Sequence, residues 1–162
     1  MKLIRNNTSP FVRKVLITAH ELNLLPQITQ QIEAVPPFTG VTPHNPLSKV
    51  PTLLLNNDTP LYDSKVICEY LNELAGGRLI PDVKSGKRWE VLRRQALADG
   101  LAEAAVMTFV ETRVRPPHLR WDATIASQWR KVTLALDRFE EEAREGGLAG
   151  PESMTVGEIA LV

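Results

Sequence analysis

Thr52-Leu53-Leu54-Leu55-Asn56-Asn57-Asp58-Thr59-Pro60-Leu61-Tyr62 is the stretch on which the fold turns. Its apolar start, its polar triplet Asn56-Asn57-Asp58 and its second short run Pro60-Leu61-Tyr62 read as two strands closed by a tight hairpin. Pro60 has no N–H to give a neighbour, which suits a sheet edge. After Asp63 the spacing predicts a helix to about Ala75. Val66, Ile67, Tyr70, Leu71 and Leu74 are expected on one face, with Gly76-Gly77 as the stop.

Upstream, Leu3-Ile4 is a short strand ending in the turn-forming Asn6-Asn7-Thr8, and Ser9-Pro10 is a helix start. Phe11, Val12, Val15, Leu16, Ala19 and Leu22 recur at helical spacing, and Ile28 to Ile32 is read as a second strand. A strand–helix–strand unit pairs its strands in parallel, whereas a hairpin is antiparallel. The order βαβ then ββα therefore forces a mixed sheet. Between the two halves, Val35 to Asn45 carries Pro36, Pro37, Gly40 and Pro43 and reads as a long irregular loop.

Beyond residue 78 no strand pattern appears. The polar stretch Pro81 to Lys87 marks a boundary, giving an expected α/β domain at 1–78, a linker at 79–87 and an all-helical domain at 88–162. Its helices are predicted from Trp89 to about Val114 and from Ala123 to Ala143, separated by Arg115-Pro116-Pro117-His118. Ile125, Trp129, Val132, Leu136, Phe139 and Ala143 are expected to form the seam of the second. Thr155-Val156-Gly157-Glu158 is a capping box, with Met154 and Ile159 placed as a hydrophobic staple. The sequence stops at Val162, little more than a turn later, so the helical domain reads as incomplete, its end truncated.

Composition narrows the function classes. With 162 residues, 43% of them hydrophobic and 23% charged, the chain can bury a sizeable core and is not a disordered segment. Nineteen basic and nineteen acidic side chains cancel, so no long-range field draws it to nucleic acid or an anionic membrane. Cys68 is the single cysteine, which excludes an intrachain disulfide and a multi-thiolate metal site. The first residues lack the apolar run of a signal peptide, and no segment has the roughly 18 apolar residues of a membrane span. The expected location is the cytoplasm and the expected partner a small molecule. His20, His44 and His118 lack ligand spacing, so no metal is expected.

Three points carry candidate chemistry. Ser9 stands where a strand gives way to a helix whose N-terminal amides favour an anion such as a thiolate, though an N-cap role is the commoner use of serine there. Val50-Pro51 opens the third strand. A cis bond there would expose the Val50 backbone for strand-like pairing with a peptide, and an ordinary trans proline is the alternative. Asp63-Ser64 begins the next helix as a cap, or as a site for a ligand with both charges, the amides and Ser64 taking a carboxylate and Asp63 an ammonium group. Cys68 is expected to pack in the core rather than react. Trp89, Trp121 and Trp129 are expected to be packing residues.

Together, Thr8-Ser9-Pro10-Phe11-Val12-Arg13-Lys14, Asn45-Pro46-Leu47-Ser48-Lys49-Val50-Pro51-Thr52-Leu53 and Leu61-Tyr62-Asp63-Ser64-Lys65-Val66-Ile67-Cys68-Glu69-Tyr70-Leu71 resemble the glutathione-site segments of bacterial cytosolic glutathione transferases. The Thr155–Ile159 box is similar to the cap of that family's buried central helix. The resemblance implies a thioredoxin-like glutathione-binding domain followed by an all-α domain. It also implies a homodimer, glutathione as co-substrate with no tightly bound cofactor, and a small hydrophobic electrophile as second substrate.

Carried over by position, the resemblance implies that Ser9 stabilises the glutathione thiolate and that Pro51 is cis, with Val50 pairing the cysteinyl backbone. Asp63 and Ser64 would hold the γ-glutamyl end, Lys49 would reach the glycyl carboxylate, and Phe11 would line the substrate pocket. A free thiol with a pKa near 8.5 is only slightly ionised at neutral pH. Bringing it to about 6.5 takes roughly 2.7 kcal/mol, the size of one charge-assisted hydrogen bond plus a helix terminus. The alternatives within reach of the same motifs are a non-catalytic binding or protein-interaction domain and a glutathione-dependent lyase, isomerase or dehalogenase.

Overall fold

A computed structural model describes residues 1–33 and 39–162. The part of the expected 35–45 loop that includes Pro36 and Pro37 lies outside the described residues, while its later part, from Thr39, forms successive turns.

The first strand, β1 (Lys2–Arg5), leads through Asn6–Ser9 into α1 (Pro10–Glu21), and a 3-10 turn at Leu25–Gln27 precedes β2 (Thr29–Ile32). The hairpin follows as β3 (Thr52–Leu54) and β4 (Pro60–Leu61), and α2 spans Ser64–Leu74. The sheet order is β2-β1-β3-β4, with β1 parallel to β2 and antiparallel to β3, and β3 antiparallel to β4. This is the mixed sheet the sequence order demands, and Pro60 sits on an edge strand. Leu3, Ile4, Leu53 and Leu54 of the sheet are buried, as are Val12, Val15 and Ala19 of α1 and Ile67 and Leu71 of α2.

α1 and α2 meet at a polar contact inside this core, Thr18 Oγ1 lying 3.3 Å from Cys68 Sγ. Cys68 is fully buried, in keeping with a packing role. The predicted α2 face needs correction. Val66 and Leu74 are 47% and 50% exposed, and the buried stripe instead passes through Ser64, Ile67, Cys68, Leu71 and Asn72. Asn72 is drawn inward because its Oδ1 accepts from the backbone N–H groups of Leu79 (2.7 Å) and Ile80 (3.1 Å), which tie the following loop to the helix.

Two compact units divide the chain, residues 1–91 with Val162, and residues 92–161. In the second, α3 (Arg88–Phe109) continues from the first unit and ends in a π-helical turn at Val110–Val114. α4 spans Asp122–Arg144 and α5 spans Val156–Ile159. Here too the expected seam shifts. Val132, Ala135, Phe139 and Glu142 of α4 are buried, whereas Trp129 and Leu136 are exposed. Trp89, Trp121 and Trp129 are all more than half exposed, at 69%, 67% and 55%, so none is the core packing residue expected.

Glu142 explains the shift, because a buried ion network holds its end of α4. Arg94, itself buried, donates from Nε to Glu142 Oε2 (2.9 Å), from Nη1 to Glu158 Oε1 (2.8 Å) and from Nη2 to the Gly147 carbonyl (2.9 Å). Arg93 and Arg138 add bonds to Glu142 Oε1 at 2.7 and 3.1 Å. Burial pushes the Glu142 carboxyl up, but the hydrogen bonds from Arg93 and Arg94 outweigh it and bring the pKa down to about 2. Glu158 also closes the capping box of α5. The Thr155 N–H donates to its Oε2 (2.9 Å), and Thr155 Oγ1 accepts from Gly157 N–H (3.2 Å). At the π turn, Glu111 accepts from Trp121 N–H (2.9 Å) and Arg115 Nε (2.7 Å), which hold its carboxyl below the usual range.

Candidate functional site

Strand directions bring the sequence-predicted residues to one end of the sheet. Ile4 pairs with Thr52, so the C-terminal end of β1 lies beside the N-terminal end of β3. The segment leading to Ser9 and the Val50-Pro51 turn therefore leave the sheet at the same end. Leu53 pairs with Leu61, so β4 also ends there and delivers Asp63-Ser64 to the start of α2. Antiparallel pairing of β3 with both neighbours is what makes one loop before it and two loops after its neighbours converge.

Ser9 is the N-cap of α1, in extended conformation with Pro10 in the first turn. Its Oγ accepts from Val12 N–H at 3.3 Å, and its own N–H donates to Asn6 Oδ1 at 2.9 Å. Asn6 thus fixes the backbone of Ser9 from the loop side. A hydroxyl that accepts from a backbone amide keeps its own proton to donate elsewhere. Phe11 follows in the first turn of α1 and is half-buried.

The Val50–Pro51 peptide is cis. Pro51 is buried, Val50 packs partly buried against Ile4, Val41 and Leu54, and Lys49 is exposed. The turn is held by Asn45, a residue outside the three candidate points of the sequence. Asn45, 1% exposed, accepts from Leu47 N–H (3.0 Å) and donates to the Lys49 carbonyl (3.2 Å) and Thr52 Oγ1 (3.0 Å). Thr52 Oγ1 in turn donates to the Lys49 carbonyl at 2.9 Å. Only the Asx-turn propensity of Asn before Pro-Leu signals this in the sequence.

Asp63, joined to Tyr62 by a cis peptide, is the N-cap of α2, its Oδ1 accepting from Lys65 N–H at 3.0 Å. Its side chain is exposed and Ser64, the next residue, is buried. Two helix N-termini, at Ser9 and Asp63, thus open toward the sheet end where the Val50 backbone lies, a setting that favours a ligand with anionic groups and a peptide backbone. A cavity of about 410 Å³ lined by His20, Asn23, Leu25 and Pro26 lies at the other end of α1 and has none of these groups. Among the described residues no cluster of His, Cys, Asp or Glu has the arrangement of a metal site, and no helix is long and apolar enough to cross a membrane.

Known proteins resemble this chain in sequence and fold. Residues 8–74 match the family model described as glutathione S-transferase, N-terminal domain. The GST-like protein YibF of Escherichia coli K12 is 31% identical over 99% of this chain and 78% of its own length. A glutathione transferase family member from Pseudomonas fluorescens Pf-5, solved with bound glutathione, is 34% identical with a TM-score of 0.89, covering 99% of this chain and 78% of that one. A glutathione S-transferase from Methylobacillus flagellatus KT, solved with glutathione bound, is 35% identical with a TM-score of 0.82, over 98% and 78% of the two chains. Matched to that family model over residues 8–74 and at least 30% identical to these relatives over nearly its whole length, the chain belongs to the glutathione S-transferase family.

Proposed function

We propose that the chain is a glutathione transferase that activates the glutathione thiol for attack on a hydrophobic electrophile. The observation that carries this reading is the state of Ser9. Its Oγ takes one amide, Val12 N–H, as acceptor, which leaves the hydroxyl proton for a sulfur lying over the start of α1. That donor and the partial positive charge of the helix N-terminus both favour thiolate over thiol. The thiol proton goes to solvent, and the sulfur forms a bond to the electrophilic carbon. In a substitution the bond to the leaving group breaks and its electron pair departs with that group; in an addition the π pair of the double bond moves to the neighbouring atom, which takes a proton from water.

In this reading the cysteinyl backbone pairs with Val50 beside cis Pro51, the γ-glutamyl carboxylate meets Ser64 and the amides of α2, its ammonium group meets Asp63, and Lys49 reaches the glycyl carboxylate. Phe11 lines the side from which the electrophile approaches. The bound glutathione of the Pseudomonas and Methylobacillus relatives supports glutathione as co-substrate. The same proposal includes a glutathione-binding domain at 1–78, a linker at 79–87, a helical domain at 88–162, a homodimer and a cytoplasmic setting.

Calorimetry with glutathione, together with thiolate absorbance of the complex, tests the proposal. Saturable binding that Asp63→Ala and Ser64→Ala weaken, with a bound thiol ionising well below pH 8, is expected. Unaltered affinity in both variants would remove the site, and binding with an undisturbed thiol would leave a binding module rather than an enzyme.

A further inference from the structure

We propose that Asn45 is a positioning residue for glutathione. Its carboxamide and the Thr52 hydroxyl clamp the Lys49 carbonyl and so set the direction in which the Val50 N–H points. The inference rests on the functional reading above, which uses the Val50 backbone as the contact for the cysteinyl residue.

The Lys49 carbonyl is the focus of the cluster. It accepts from Asn45 Nδ2 and Thr52 Oγ1, and these two donors are themselves bonded to one another. The Lys49–Val50 peptide is not among the cis bonds, so it is trans and planar, with its C=O and N–H on opposite sides. Fixing the carbonyl toward Asn45 therefore fixes the Val50 N–H away from it. Among the described residues, that N–H donates to no protein acceptor, so it is left for a ligand.

Asn45 is itself immobilised at every polar atom. Its N–H donates to the Val41 carbonyl (2.9 Å), its carbonyl accepts from Ser48 N–H (2.9 Å), and its Oδ1 accepts from Leu47 N–H. Val41 is fully buried against Ile4 and Leu54, the same residues that Val50 packs on. The carboxamide thus connects the hydrophobic floor to the one peptide plane that the ligand reads. A donor and an acceptor at these spacings are what a carboxamide supplies; a carboxylate at position 45 lacks the donor and repels the Lys49 oxygen. Preorganised backbone groups bind without a reorganisation cost at the moment of binding, so loosening this plane weakens affinity without touching any group that contacts the ligand.

Glutathione calorimetry on the full chain tests this with Thr52→Val, Asn45→Ala, Thr52→Ser and, as a control, Asn72→Ala. Losing one clamping bond is expected to raise the glutathione Kd roughly 3- to 10-fold in Thr52→Val, and losing the carboxamide roughly 10-fold or more in Asn45→Ala. Thr52→Ser, which keeps the hydroxyl, is expected to restore wild-type affinity. Asn72→Ala removes a buried carboxamide remote from Val50 and is expected to lower the melting temperature with Kd unchanged. In turnover assays the clamp variants raise KM for glutathione more than they lower kcat. An unchanged Kd in folded Thr52→Val, or an equal loss in Asn72→Ala, overturns the proposal. No saturable binding by the wild-type chain refutes the functional reading itself, and this inference with it.

Discussion

Replacing Ser9 by Ala separates catalysis from capping, because the two uses of its hydroxyl have different sizes. As a cap, Oγ accepts from Val12 N–H at 3.3 Å, longer than a well-formed bond. Its loss should therefore cost near the lower end of the capping range, about 0.5–1 kcal/mol, and lower the melting temperature by roughly 1–4 °C. As a donor to a thiolate it makes a bond to a charged group, worth about 1.5–3 kcal/mol. Its removal should raise the bound thiol's pKa by about one to two and slow turnover roughly 10- to 150-fold at neutral pH. Glutathione affinity should change much less, because Val50, Asp63 and Ser64 remain. The assay is thiolate absorbance of the glutathione complex titrated against pH in both proteins, with melting curves run alongside. If the two titration curves coincide while the melting temperature falls, Ser9 is a helix cap and nothing more.

Glu142→Gln should destabilise the protein at pH 7 by about 3 kcal/mol, since it breaks one partner of a buried ion cluster, and lower the melting temperature by several degrees. The folded-state pKa of Glu142 lies below its unfolded value, so its contribution is full above about pH 4.5 and is lost as pH falls toward 2. Melting curves of wild type and variant should converge over that window, and a constant gap would show that the charge is not responsible. Cys68→Ser should leave glutathione turnover unchanged while costing stability, because Cys68 is buried beside Thr18; lost turnover with normal melting would give the thiol a chemical role. Light scattering should give twice the chain mass at micromolar concentration, and a stable monomer would refute the dimer.

The first half of the fold was legible because its signals are local. Asn56-Asn57-Asp58 makes the hairpin, Ser9-Pro10 and Asp63 start helices, and Gly76 and Gly77 adopt the positive φ that ends one. Helix faces were less legible. Periodicity counts apolar residues and misses a polar side chain drawn inward by a distant backbone or charge, as Asn72 is by Leu79 and Ile80 and Glu142 by Arg94. On α4 that inward Glu142 goes with Val132, Ala135 and Phe139, while Trp129 and Leu136 face out. At the candidate site, the sequence names Ser9, Val50-Pro51 and Asp63-Ser64, whose segments the structure brings to one end of the sheet, but it does not single out the hydrogen bonds of Asn45. Its partners are defined by a turn whose shape no spacing rule encodes.

Glu158 divides its two oxygens between a local and a distant set of donors. Oε2 serves Thr155 within the capping box, while Oε1 takes Arg94 Nη1 and the Ala149 N–H. Burial raises its pKa, yet the Thr155 and Ala149 bonds outweigh that and keep the carboxyl below the usual range. The consequence lies in substitution tolerance. Glutamine has the shape of glutamate but only one acceptor oxygen, so it can satisfy the helix start or the arginine, and must point an amide N–H₂ at donors on the other side. Aspartate keeps both oxygens but is one methylene too short to span them. A position where the isosteric and the like-charged replacements each fail for a different reason favours one residue, here at the start of a helix that spans Val156–Ile159.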